Sequence, residues 1–149
     1  MAKFYVVNKR YRKHPNEVIN LPVKATNTSA GYDFFSTENV TLHSHESHMV
    51  WTDVKVKLKE DECLMIVPRS SVAIKKHLIL SNIVGIIDAD YFNNPDNDGN
   101  IGISLYNYGH DTSRIVKDER IAQGIVVKID SGDKKNEKRR IGGFGSTGR

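Results

Sequence analysis

An arginine and two serines stand together at Pro68-Arg69-Ser70-Ser71, directly before a short stretch with helical spacing that runs to Lys76. A guanidinium and the free backbone amides at the start of a helix both favour anions, so this segment suits a phosphate group. The alternative is an ordinary helix capped by Ser70 or Ser71, with Arg69 on the surface. The residues alone leave both interpretations open.

Two carboxylates follow a β-branched run, with Asp88 and Asp90 at alternate positions and Tyr91 next to them. If the strand continues, both acids lie on one face, where either could act as a general base or bind a metal ion. The alternative is an acidic strand end before a turn. The oxygen-rich segment 93–100 lacks the ligand spacing and distal glutamate of a calcium loop, so we interpret it as a turn.

The last residues of the chain differ from the rest in composition. Residues 131–138 are polar and charged, and residues 142–148 hold four glycines, two hydroxyl side chains and one aromatic residue, Phe144. This composition predicts a flexible C-terminal arm over residues 131–149. Free backbone amides can wrap an anion, and Phe144 can stack on a ring. A disordered end without function is the alternative.

The elements that must position these residues have the periodicity of β-structure. Alternation of apolar and charged residues predicts a half-buried strand from Val50 to Leu58. Further short strands are predicted at Lys3–Val7, Asn39–Leu42, Cys63–Val67, Ile101–Tyr106 and Ile121–Ile129. Many short strands between turn-forming clusters indicate an all-β fold, a barrel or a jelly-roll-like sandwich. Ser70–Lys76 is the only predicted helical turn.

Length and composition limit the class of protein. A chain of 149 residues with 38% hydrophobic residues is expected to form one domain, here residues 1–130, followed by the arm. It has no apolar run long enough for a membrane helix, no signal-peptide pattern and a single cysteine, so we expect a cytoplasmic protein without membrane contacts. The net charge of +4 is mild, and aromatic residues do not line a basic groove, which argues against a nucleic-acid partner.

Five segments in this order resemble the motifs of the trimeric all-β dUTPase family, of the phage or Gram-positive bacterial type. They are Ala30–Phe34, Pro68–Ser71, Asn82–Tyr91, Arg120–Gln123 and Arg139–Gly148. Each motif is weak alone, but the five together in sequence are specific. The resemblance implies a distorted jelly-roll-like β-barrel that assembles as a homotrimer with a flexible C-terminal arm.

The same resemblance implies hydrolysis of dUTP to dUMP and pyrophosphate with Mg²⁺ as cofactor. Asp88 would be the catalytic base for the water that attacks the α-phosphorus, since a carboxylate is ionised at neutral pH. Asp33 would act on Mg²⁺ through water. The reaction would limit uracil in DNA and supply dUMP for dTMP synthesis.

The resemblance also implies which residues bind the substrate. Asn82 and the backbone near Ile86 and Ile87 would read the uracil edge, Tyr91 would pack under the deoxyribose, and Gly102 would complete the pocket. The triphosphate would be held by Arg69, Ser70, Ser71, Gln123 and Arg139. In the arm, Phe144 would stack over uracil, and Gly145, Ser146 and Thr147 would meet the phosphates. Each site of the trimer would combine three chains.

The chain departs from the family pattern in three places. Arg140 replaces a common glycine, which leaves open whether Arg139 or Arg140 meets the γ-phosphate, and His77 also stands where glycine is usual. The segment Phe92–Asp98 is an insertion that predicts a longer, more mobile hairpin tip. If the chain is phage-derived, that tip is a candidate surface for a regulatory protein partner.

The related dCTP deaminase is the alternative activity for this fold. It lacks a comparable glycine-rich lid, so a dUTPase is favoured.

Overall fold

The computed structural model describes residues 1–130, 132, 142 and 143. Within them the chain forms twelve strands and one α-helix, in the order β1 (Lys3–Val6), β2 (Val23–Lys24), β3 (Gly31–Phe35), β4 (Val40–Leu42), β5 (Ser47–Trp51), β6 (Val54–Lys57), β7 (Glu62–Pro68), α1 (Ser70–Lys76), β8 (Leu78–Leu80), β9 (Gly85–Asp88), β10 (Gly102–Asn107), β11 (Ser113–Ile115) and β12 (Arg120–Lys128). The fold is all-β, as predicted. None of the described helices has the length and apolar character needed to cross a membrane.

The strands form four antiparallel sheets among the described residues. The largest has the order β2-β3-β12-β7-β9, a second has the order β5-β10-β8, and the pairs β1-β6 and β11-β4 complete the set. In β10 every second side chain is buried, and Ile103 lies opposite Val50 of β5. Their inward faces join one apolar core, whose fully buried members include Phe34, Leu64 and Ile121. The half-buried pattern expected of antiparallel strands is therefore present.

The predicted strand from Val50 to Leu58 is wrong in one respect, because the structure divides it. β5 ends at Trp51 and β6 begins at Val54, and the two strands belong to different sheets. Asp53, predicted on a charged outer face, is instead fully buried with a φ of 56°. Its carboxylate accepts hydrogen bonds from the backbone amides of Lys13 (2.9 Å) and His14 (2.7 Å), which satisfies a charge that burial would otherwise penalise.

Helix α1 has the predicted bounds but not the predicted cap. Arg69 occupies the N-cap position with extended backbone, and no side chain caps the helix. Neither Ser70 nor Ser71 therefore serves as the cap, and both are exposed in the first turn. The helix ends at His77, whose left-handed backbone (φ 55°) suits glycine best. The His77 ring packs edge-on against Tyr108, with 5.4 Å between ring centroids.

Strand β9 ends at Asp88, and residues Ala89–Tyr91 form a 3₁₀ turn. The expected common face for Asp88 and Asp90 is therefore wrong, because the strand does not continue. Asp88 is half-buried, whereas Asp90 is exposed.

Candidate active site

A cavity of about 210 Å³ opens between β9 and β10. It is lined by four residues that were predicted to bind a base and a sugar, and by one residue near the chain end: Asn82, Ile86, Tyr91, Gly102 and Gly143. Ile87 contributes from the buried side of β9. The sequence prediction thus selected residues from two separate segments, Asn82–Tyr91 and the strand that holds Gly102, and the fold brings them to one cavity.

The turn before β9 presents the Asn82 side chain. The backbone reverses at Ile83, which has a φ of 66°, and the amide of Val84 donates to the carbonyl of Asn82 at 2.7 Å. A Cβ on Gly85 would lie 3.2 Å from Cβ of Ile66 and 3.7 Å from Nδ2 of Asn82. Glycine at this position therefore lets β9 approach β7 closely beneath the Asn82 amide.

Tyr91 forms the floor of the cavity and is 4% exposed. Its hydroxyl donates to the backbone carbonyl of Asn100 at 2.8 Å and accepts from Nδ2 of Asn97 at 2.7 Å. The ring is therefore fixed from behind, with its other side toward the cavity.

Two glycines allow close approach at the cavity wall. A Cβ on Gly143 would lie 2.9 Å from Cε2 of Tyr91, and one on Gly102 would lie 2.7 Å from Sδ of Met49 and 3.0 Å from the Trp51 ring. Real Cβ atoms do not sit that close to their neighbours, so a larger residue would displace the wall.

A second group of predicted residues lies at the other end of the large sheet. The Asp33 carboxylate is buried between two guanidinium groups, with Nε of Arg69 at 3.0 Å and Nη1 of Arg120 at 3.3 Å. On the central strand β12, Gln123 pairs with Asp33 on one side and Val67 on the other. Gln123 also fills the space next to Gly31, where a Cβ would lie 2.7 Å from Oε1. This group is cationic and lies beside Ser70 and Ser71 of α1.

Asp88 lies in neither group. It lines a more open cavity of about 510 Å³ beside Leu58, Asp90 and Ile129. Directly opposite on β7 is Cys63, whose thiol pKa is raised above its usual range, mainly by burial and also by the negative charge of Asp88.

The separation of Asp88 from the cationic group follows from strand register. Asp88 pairs with Cys63 at one end of β7, whereas Pro68, at the other end, leads into Arg69. Pro68 lies five positions along the strand from Cys63, which corresponds to about 17 Å. A single chain therefore does not bring Asp88 to Arg69, Ser70 and Ser71.

Comparison with known proteins decides the family. The dUTPase family model matches residues 17–148, nearly the whole chain. This chain belongs to the dUTPase family. A deoxyuridine 5'-triphosphate nucleotidohydrolase of Lactococcus lactis is 41% identical over 139 residues, covering 91% of this chain and 93% of that protein.

Solved dUTPase structures have the same fold. The dUTPase of Streptococcus mutans superposes with a TM-score of 0.75 at 33% identity, covering 88% of this chain and 98% of that one. The dUTPase of Staphylococcus bacteriophage 80alpha superposes with a TM-score of 0.72 at 28% identity, covering 93% and 97% of the two chains. The predicted likeness to Gram-positive and phage dUTPases is thereby confirmed.

The described residues contain no group of three or more His, Cys, Asp and Glu side chains arranged to hold a metal ion. Asp33, predicted to act on a metal through water, has its two oxygens next to two arginines. Both oxygens of the Asp33 carboxylate therefore already have cationic partners within the chain.

Predicted arm residues Arg139, Phe144, Gly145, Ser146 and Thr147, and also Arg140, lie outside the described residues. The sequence analysis did not assign Arg120, Asn97 or Asn100 to the site. Arg120 opens a recognised motif, so its position was a usable signal. The two asparagines were interpreted as turn formers, and only the fold shows them behind Tyr91.

Proposed function

We propose that this dUTPase family member hydrolyses dUTP to dUMP and pyrophosphate with Mg²⁺, so that it limits uracil in DNA and supplies dUMP for dTMP synthesis. The observation that carries the proposal is the cavity that joins the Asn82 amide to the Tyr91 floor. Its size and its mixture of apolar walls and one amide suit a pyrimidine nucleoside.

The uracil edge presents two carbonyl acceptors on either side of one N–H donor. The Asn82 amide offers a donor and an acceptor, and the backbone near Ile86 and Ile87 offers further groups on the same wall. Cytosine has a donor in place of one carbonyl and would leave buried polar groups unpaired. Such a mismatch can give a selectivity of about 10⁴.

The sugar would lie on the Tyr91 ring, which is held so tightly that it cannot retreat from an added hydroxyl. Gly102 and Gly143 narrow the cavity beside it, and each would clash if it carried a side chain. A ribose has one more oxygen than a deoxyribose at the 2′ position. The proposed site therefore selects dUTP over UTP by limiting the available volume.

The triphosphate, with a charge of about −4, needs several cationic and amide partners. Arg69, Ser70, Ser71 and Gln123 form one group that supplies guanidinium, hydroxyl and amide donors. Arg139 and the arm residues Phe144, Gly145, Ser146 and Thr147 would complete the enclosure and exclude bulk water. Mg²⁺, when bound, neutralises phosphate charge, and Asp33 would act on its water shell.

Asp88 would hold the attacking water and accept its proton. The water oxygen then bonds to the α-phosphorus, and the bond from that phosphorus to the bridging oxygen of the β-phosphate breaks. The products are dUMP and pyrophosphate, which leaves with the electron pair of the broken bond. Arg69 and its neighbours would stabilise the charge that develops on the leaving pyrophosphate.

A homotrimer with active sites between its chains would explain why Asp88 and Arg69 lie far apart within one chain. Because Asp88 and Arg69 stand near opposite ends of β7, the base of one chain must meet the phosphate group of another. The trimer symmetry would repeat this junction three times.

The experiment is pyrophosphate release from dUTP, dTTP, dCTP and UTP by the purified protein, with Mg²⁺ and with EDTA. We expect release from dUTP alone and loss of release in EDTA. Equal rates on dCTP would contradict the assigned base contacts, and equal rates on UTP would contradict the assigned sugar contacts. No release from any nucleotide by a folded protein would contradict the proposed activity.

One comparison favours a second, additional role. The dUTPase of phage 80alpha is similar to this chain, and it is one of the phage dUTPases that control transfer of virulence genes by a proto-oncogenic G protein-like mechanism. In this chain, exposed Asn93, Pro95 and Asp96 form the tip of the Phe92–Asp98 loop. If a regulatory protein binds this tip in the presence of dUTP, substituting Pro95 and Asp96 should abolish that binding while catalysis is retained.

A further inference from the structure

The inserted loop Phe92–Asp98 is anchored rather than free, in contrast to the mobile hairpin tip that the sequence predicted. Nζ of Lys55 donates to Oδ2 of Asp98 at 2.8 Å and to Oδ1 of Asn93 at 2.6 Å. Asp98 also accepts from the backbone amide of Asn8 at 2.7 Å. The Phe92 ring lies 4.9 Å from the same ammonium group and 5.7 Å from the Tyr5 ring. The loop is therefore fixed to β1 and β6.

This anchored loop carries a donor to the floor of the cavity. Nδ2 of Asn97 donates to the Tyr91 hydroxyl at 2.7 Å, and Oδ1 of Asn97 accepts from the amide of Gly99 at 3.0 Å. Gly99 has a φ of 82°, and a Cβ there would lie 2.6 Å from the Tyr91 carbonyl. One asparagine thus closes the turn and holds the tyrosine.

The other partner of the hydroxyl is held as firmly. Tyr91 donates to the carbonyl of Asn100, whose side chain is fully buried and exchanges two hydrogen bonds with Asp53: 3.0 Å to the backbone amide and 2.8 Å to Oδ1. Buried polar networks in which every member is satisfied hold one geometry. The Tyr91 hydroxyl therefore has a donor and an acceptor at fixed positions.

We propose that Asn97 is a positioning residue for sugar selection: its amide fixes the Tyr91 ring at the height that admits deoxyribose and excludes ribose. The inserted loop then serves the active site of its own chain. This inference rests on the proposed function, because it concerns the same cavity and the same substrate.

The test compares kcat/KM for dUTP with kcat/KM for UTP in the wild type and in Asn97→Asp. Aspartate can still accept from the Gly99 amide, but it cannot donate to the hydroxyl. We expect the preference for dUTP to fall about tenfold, which is the effect of one lost hydrogen bond. Asn97→Ala, which adds no charge, should give a similar or larger fall.

A double-mutant cycle distinguishes positioning from a general loss of stability. Tyr91→Phe removes the hydroxyl through which Asn97 acts, so adding Asn97→Asp to it should change the preference by less than about twofold. Asp96→Ala, an exposed change in the same loop, should leave the preference unchanged. Thermal unfolding of each variant shows whether it is folded.

The possible outcomes distinguish a failure of the proposed function from a failure of this inference alone. A wild type that does not hydrolyse dUTP contradicts the proposed function and this inference with it. An active wild type whose folded Asn97 variants keep the full preference contradicts the inference alone. An equal effect of Asn97→Asp with and without the Tyr91 hydroxyl also overturns it.

Discussion

Asp33 and Arg69 form an ion pair, with Nε of the arginine 3.0 Å from Oδ1 of the buried carboxylate. Arg120 approaches the other oxygen at 3.3 Å, so one acid orients two guanidinium groups. These groups face the surface beside α1, where the proposed triphosphate would bind. Asp33 would therefore orient the two arginines for the proposed phosphate contacts, in addition to any effect on a metal ion.

Replacing this acid should weaken the phosphate site without affecting the uracil cavity. In Asp33→Asn the two arginines lose the charge that orients them, and we expect kcat/KM for dUTP to fall at least about tenfold. Binding of dUMP, measured by calorimetry, should change far less, because its base and sugar would lie in the separate cavity proposed near Asn82 and Tyr91. A fall in dUMP affinity as large as the fall in kcat/KM would contradict this division.

Asp88→Asn tests the proposed base. The amide retains the shape but cannot accept the proton of the attacking water, so kcat should fall by about 10²–10⁴. Affinity for a non-hydrolysable dUTP analogue should stay within a few-fold of the wild type. Asp90→Asn is the matched control, since Asp90 lies two residues away but is exposed on the 3₁₀ turn. A larger loss of kcat in Asp90→Asn than in Asp88→Asn would show that Asp88 is not the catalytic base.

The distance between Asp88 and Arg69 in one chain leads to a mixing experiment. Asp88→Asn and Arg69→Ala should each be inactive as pure assemblies. If a site takes its base from one chain and its phosphate group from the next, a randomly reassembled equal mixture has about one quarter of its sites intact. Measured activity near that fraction supports sites between chains, whereas a mixture as inactive as its components would place both residues in one chain's site.

Whether a strand could be predicted from the sequence depends on whether its residues alternate between apolar and polar. Strands such as β10 alternate in hydrophobicity, so they were predicted, while β3 was missed because three of its five residues are buried and the pattern does not alternate. The division at Asp53 depends on partners 39 and 47 residues away, which no local pattern shows. Long-range hydrogen bonding thus divides a segment that periodicity predicted as one strand.

The same limit applies to the candidate site. Asn82 and Tyr91 were chosen from one motif and Gly102 from the strand that follows it, and all three line one cavity in the structure. The support behind Tyr91 was missed because Asn97 and Asn100 resemble ordinary turn residues in sequence. Their role depends on how the Phe92–Asp98 loop folds back onto β6, and only the described fold shows that.

Gly143→Ala should narrow the cavity beside the Tyr91 ring and weaken substrate binding. The added Cβ would lie 2.9 Å from the Tyr91 ring, which the Asn97 and Asn100 hydrogen bonds prevent from moving away. We expect KM for dUTP to rise about tenfold, with the melting temperature nearly unchanged because Gly143 lies outside the core. Gly143→Ser should raise KM further. Unchanged KM in both variants would show that this glycine does not line the productive site.

Cys63 offers a pH-dependent probe next to the proposed base. Burial, and secondly the charge of Asp88, raise the pKa of its thiol above the usual 9.0. Since the thiolate is the reactive form, Cys63 should react slowly with a maleimide at pH 8 in the native protein and rapidly once unfolded. In Asp88→Asn the native reaction should become faster, because one cause of the raised pKa is removed.

The sign of the stability effect follows from the same shift. The unfolded chain releases the thiol proton first as the pH rises past about 9, so the native state then holds more protons and loses stability with increasing pH. Urea unfolding at pH 8 and pH 10, at one protein concentration, should show a smaller loss in Cys63→Ala than in the wild type. Equal losses in both proteins would mean that the thiol has the same pKa folded and unfolded, and that its burial beside Asp88 does not affect its ionisation.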